Sequence, residues 1–106
     1  MNNNYKYSND KLRKHSYGSH TPGSHFTPGF NQIQEIRDIL NDPTKFANCR
    51  ADPQGNENVE SFMYNAGTNI GFLGRNRTTT WIQIIVQNDK RRIHAFPVSK
   101  SRALRE

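Results

Sequence analysis

Thr78-Thr79-Thr80-Trp81-Ile82-Gln83-Ile84-Ile85-Val86-Gln87-Asn88-Asp89-Lys90-Arg91-Arg92-Ile93-His94-Ala95-Phe96-Pro97-Val98 is the stretch on which the fold turns. Between Thr78 and Gln87, Ile82, Ile84 and Val86 alternate with Trp81, Gln83 and Ile85, a period of two with apolar residues on both faces, which predicts a central β-strand. Asn88-Asp89-Lys90 has the composition of a turn. The chain then returns from Arg92 to Val98 with Ile93, Ala95 and Pro97 on one side and Arg92, His94 and Phe96 on the other. For Ile82, Ile84 and Val86 to share a face with Ile93 and Ala95, even positions must pair with odd ones, as a two- or four-residue loop allows. His94 then falls on the opposite face with Thr79, Trp81, Gln83, Ile85, Arg92 and Phe96, a mixed polar and aromatic surface suited to a base and a phosphate.

Working upstream, Val59 to Tyr64 and Asn69 to Leu73 are short strand-like runs separated by Ala66-Gly67-Thr68, and Gly74-Arg75-Asn76-Arg77 makes the next turn. Asp52-Pro53-Gln54-Gly55-Asn56 is a loop by composition. Before it the period changes: Ile33, Ile36, Ile39 and Leu40 recur at three- and four-residue steps, the stripe of a helix of about three turns. Thr27-Pro28 is the expected start, with Thr as N-cap and Pro at the first helical position. Asn41-Asp42-Pro43 is the expected stop, and a further turn over residues 44–49 would bury Phe46 and Cys49. The expected fold is α+β, an N-terminal helix or helices packed on a curled antiparallel sheet of about four strands, with the helix covering the aliphatic face and His94's face left for a partner. Residues 1–25 read as a flexible polar and basic segment, residues 26–98 as the compact domain and residues 99–106 as a basic tail.

One chain of 106 residues, 32% of them hydrophobic, has material for one small core and excludes a multidomain enzyme. No apolar run approaches a membrane span, and the N-terminus lacks the apolar segment of a signal peptide, so a soluble chain is expected. A single Cys49 excludes an internal disulfide framework. The net charge of +6 is unevenly placed: residues 1–30 carry four Lys or Arg against one acid, residues 31–60 three against six, and residues 61–106 eight against two. Two basic flanks, sharing their segments with aromatics and histidines, point to a polyanion. A merely solvated surface is the competing reading.

Of the four histidines, His15, His20 and His25 are spaced five apart, and Gly18, Pro22 and Gly23 keep them off one helical face, which argues against zinc; no cofactor is expected. Metal-free RNA cleavage needs only a base for the ribose 2′-OH, an acid for the departing 5′-oxygen and a cation for the phosphorane. His94, one N-terminal histidine, and Arg75, Arg77 or Arg92 would supply that set, because imidazole changes charge near neutral pH. An exposed histidine without a role is the alternative for each. Cys49 reads as a structural thiol.

The helix Phe30 to Leu40 closing in Asn41-Asp42-Pro43, the Ile70-Gly71 strand and the terminal hairpin with Arg92-Ile93-His94-Ala95-Phe96-Pro97, behind a histidine-rich entry, resemble the small ribonuclease toxin domains of the barnase–EndoU–colicin–RelE superfamily, found in bacterial polymorphic and contact-dependent inhibition toxins and in phage relatives. The resemblance spans about residues 14–98. It implies a ribonuclease acting on tRNA or other cellular RNA in the bacterial cytoplasm, delivered from another cell and neutralised by an acidic immunity protein. It places the first catalytic position at His15 or His20 and later ones at Thr79 and His94. Arg75, Arg77, Trp81, Arg92 and Phe96 are the expected substrate contacts. The alternatives are a non-catalytic RNA- or DNA-binding module, with Trp81, Phe96 and Tyr64 as stacking platforms, and an accessory protein that binds an acidic protein partner.

Overall fold

The computed structural model describes residues 5–19, 23–53, 55–74 and 77–105. In chain order they form β1 (Lys6–Tyr7), α1 (Asn9–His15), β2 (His25–Phe26), α2 (Gln32–Asn41), α3 (Pro43–Ala47), β3 (Arg50–Ala51), β4 (Val59–Asn65), β5 (Gly71–Phe72), β6 (Thr78–Thr79), β7 (Trp81–Gln87), β8 (Arg92–Val98) and α4 (Lys100–Ala103). The class is α+β. In place of one curled sheet of about four strands there are two sheets, a five-stranded one in the order β1-β8-β7-β4-β3 and a three-stranded one in the order β2-β5-β6. The larger sheet is mixed, because β1 runs parallel to β8 while the other pairs are antiparallel. No helix among the described residues is long and apolar enough to cross a membrane.

The β7–β8 hairpin has the expected parity. Ile82 faces Pro97, Ile84 faces Ala95 and Val86 faces Ile93, and four residues, Asn88 to Arg91, join the strands. Arg91 closes the loop at φ 53°, the left-handed conformation that releases a tight turn into a strand. β7 is the middle strand of its sheet, and Ile82, Ile84 and Val86 are fully buried in a core with Ile36, Ile39 and Leu40 of α2, Tyr7 and Phe26. Apolar surface removed from water at roughly 25 cal/mol per Å² makes this layer the main source of stability.

The helix α2 starts later than expected. Thr27 and Pro28 instead belong to a turn, in which Phe30 N donates to Thr27 O at 3.2 Å and Gly29 takes φ +83°. Asn31 is the cap, its side chain accepting from Gln34 N at 3.2 Å, and Phe30 stacks on Phe26 at 4.4 Å to set the entry. Asp42 ends α2 and caps α3 by accepting from Thr44 N and Lys45 N, with Pro43 in the first helical position. The continuous strand expected from Thr78 to Gln87 is broken at Thr80. The Thr79 hydroxyl accepts from Trp81 N at 3.1 Å and donates to Val98 O at 2.6 Å, so the chain bends from the small sheet into the large one. The small sheet sits close on β8: a Cβ on Gly71 would lie 2.3 Å from Pro97 Cγ.

Both segments expected to lie outside the compact domain contribute to it. Within residues 1–25, β1 adds an edge strand to β8 and α1 follows behind a Ser8 cap. Tyr7 is buried, donating its hydroxyl to Gln32 Oε1 at 2.8 Å and accepting from Ala95 N at 3.1 Å. Within residues 99–106, Ser99 caps α4, whose Ala103 is buried against Met63 and Val98. These elements were hidden because short strands and one-turn helices carry too few residues to show a period; long-range pairing makes them.

Candidate functional site

The site grows from the parity of β8. With Ala95 buried in the aliphatic core, His94 and Phe96 project to the other face, where Phe96 stacks on His94 at 6.2 Å between ring centroids and 22° between planes. The same Phe96 ring stacks on His15 at 5.3 Å and 26°. His15 is the last residue of α1, and β1 places that helix because it pairs with the start of β8. One aromatic ring thus joins histidines from the two ends of the chain.

The two imidazoles are held differently. His15 Nδ1 lies 2.7 Å from Ser24 O. A carbonyl only accepts, so Nδ1 carries the proton and Nε2 holds the lone pair of the neutral ring. His94 Nδ1 is buried and has no hydrogen-bond partner among the described residues. Burial lowers the pKa of both rings, and positive neighbours add to it: Lys11, His15 and Lys14 at His94; Lys14, Lys11 and His25 at His15, where the Ser24 bond acts in the opposite direction. His94 is pushed down to about 4, so at neutral pH it is an uncharged base. Among the described residues, none of the charges acting on either ring is a carboxylate. Such a place favours an anion, and a bound phosphate would raise both pKa values by stabilising the imidazolium forms.

Of the expected catalytic residues, His15, His94 and the contact residue Phe96 come together. Thr79 does not join them; it is buried at the bend, with its hydroxyl hydrogen bonded to Val98 O. Arg92 is exposed at the opposite end of β8 from Val98, where β1 brings Lys6 alongside. Arg77 and Trp81 line a separate groove with Lys100. His20 and Arg75 lie outside the described residues. His25 pairs with Phe72 in the small sheet, and its charge acts on His15.

His94's face is not left wholly open for a partner, because α4 packs on it. Gln83 is buried there, donating to Ser61 Oγ at 3.0 Å and accepting from Arg102 Nε at 3.0 Å, while Met63 and Val98 close around Ala103. The basic tail contains enough apolar surface in Ala103 to cover this part of the sheet. Lys11 and Lys14, whose charges act on both rings, are candidate site residues that the pattern of histidines and arginines did not point to. Their signal was Ser8 followed by Asp10, a capped helix start that sets the lysines just before His15. Cys49 is half-buried, and burial pushes its thiol up to about 11, which disfavours the reactive thiolate.

No protein-family model, curated protein or solved structure matches the chain.

Proposed function

We propose that this chain is a metal-independent endoribonuclease in which His94 and His15 act as base and acid on one phosphodiester. The observation that carries the reading is the stacking of both histidines on Phe96 in a setting charged by Lys11 and Lys14. Neutral His94 takes the proton of the ribose 2′-OH. The 2′-oxygen attacks phosphorus while the bond to the 5′-oxygen breaks, and protonated His15 gives that oxygen its proton through Nε2. The products are a 2′,3′-cyclic phosphate and a 5′-hydroxyl. Lys11 and Lys14 offset the charge that builds on the phosphorane. The family resemblance adds tRNA as the substrate class, the bacterial cytoplasm as the place of action after delivery from another cell, and an acidic immunity protein as partner.

The test is incubation with total RNA and with tRNA in chelator, reading for discrete fragments with cyclic ends. His94→Ala and His15→Ala should each slow cleavage by about 10²- to 10⁴-fold while circular dichroism is retained. Wild-type protein that leaves RNA intact would overturn the proposal. A second reading, an RNA-binding module without chemistry, is favoured by burial: His15 is 6% exposed and His94 8%. It predicts salt-dependent binding of uncut RNA.

A further inference from the structure

Beyond Phe96, where β6 bends into β7 and β8 passes into α4, a groove of about 460 Å³ opens along Asn69, Arg77, Thr78, Trp81, Lys100 and Ser101. Its lining combines two cations, an indole and a set of hydroxyl and amide groups, with no carboxylate among the described residues. Arg77 and Lys100 are exposed, and neither is paired with an acid among the described residues. Trp81 is half-buried, packed against the Met63, Val98 and Ala103 cluster and lining the groove. Cations beside an aromatic plane match the two halves of a nucleotide, phosphate and base. Trp81 pairs with Val98, which is four residues along β8 from His94 and on the same face, a separation of about 13 Å at ~3.3 Å per residue.

We propose that this groove is a second nucleotide subsite for single-stranded RNA, with a base against Trp81 and flanking phosphates at Arg77 and Lys100, a few nucleotides along the strand from the bond held at His15 and His94. The proposal rests on the reading of the chain as an RNA enzyme and adds where the rest of the substrate lies. A long RNA engages both sites; a dinucleotide reaches only the histidines.

Trp81 is the chain's sole tryptophan, so its fluorescence reports occupancy of the groove without any need for cleavage. The probe is a 2′-O-methyl octaribonucleotide, which lacks the attacking hydroxyl. Saturable quenching of Trp81 is expected. The double variant Arg77→Gln, Lys100→Gln should bind the probe at least tenfold more weakly, with the slope of log affinity against log salt shallower by about 1.4, or ~0.7 for each phosphate no longer neutralised. It should cleave a dinucleotide at the wild-type rate and unmodified long RNA more slowly. Both changes are on exposed side chains, and circular dichroism checks the fold. Bound probe with no Trp81 response, or a double variant with wild-type affinity and slope, overturns the subsite. Quenching and weakening as expected, without cleavage of unmodified RNA, would sustain the subsite and overturn the catalytic reading; cleavage without Trp81 response would do the reverse.

Discussion

The phenolic oxygen of Tyr7 accepts a hydrogen bond at 3.1 Å from the amide of Ala95, the residue between His94 and Phe96, and the same hydroxyl donates to Gln32. This bond ties the start of the chain to its last strand at the position where the two candidate catalytic histidines are brought together. It is buried on both sides, and burial holds the Tyr7 hydroxyl protonated far above its ordinary range.

Tyr7→Phe keeps the ring and removes the oxygen, leaving Ala95 N–H and Gln32 Oε1 without that partner. The expected loss is about 1–3 kcal/mol in unfolding free energy, measured by urea denaturation, with the m-value unchanged. Because His15 depends on β1 for its place, the variant should also lose activity under conditions where it is still folded.

The pH dependence of stability follows from His94. Its folded-state pKa of about 4 lies below the ordinary 6.5, so the unfolded chain takes up the proton first. The stability from keeping the ring neutral is present in full above pH 6.5 and is lost as pH falls from 6.5 towards 4. For a ring whose rim meets solvent the loss is about 2 kcal/mol, and His15, displaced in the same direction, adds to it in the same window. Urea midpoints at pH 7.5, 6 and 4.5 should fall with pH more steeply in the wild type than in His94→Gln. Parallel slopes would contradict the displaced pKa.

Binding of an anion should reverse that displacement. Titration of the His94 ring protons by NMR, with and without a dinucleotide phosphate analogue, should show the pKa rising on binding, since a nearby negative charge favours the imidazolium. An unmoved His94 would place the phosphate elsewhere.

Phe96 positions both histidines without supplying a proton. Phe96→Leu should lower kcat by about tenfold or more, while Phe96→Tyr, which keeps the ring, restores most of it. A merely structural role would show equal loss in stability and no difference in rate at full folding.

Gly71→Ala tests the seat of the small sheet. The new methyl would lie 2.3 and 2.4 Å from the Pro97 ring, so β5 or β8 must shift, and a loss of about 1–3 kcal/mol is expected by thermal or urea unfolding.

Legible in the residues alone were the α2 stripe, the β7–β8 hairpin with its parity, and the placing of His94 and Phe96 on the face away from the core; the choice of a four-residue loop over a two-residue one came from the pairing of the strands. Those features rest on periods of 3.6 and 2, which act between near neighbours and are visible in any window that contains them. The Thr78-Thr79-Thr80 run hid the bend at Thr80, since threonine favours strand conformation on either side of it and the bend is made by Thr79's bonds to Trp81 and Val98. It took the tertiary structure to show that residues 5–15 form an edge strand and a helix, that α4 covers part of the sheet, and that His15 and His94 both stack on Phe96. These contacts join residues far apart in the chain, and a two-residue strand such as Lys6–Tyr7 exists because β8 offers it a free edge. Local sequence sets which side chains face outward; the pairing of distant segments sets which of them meet.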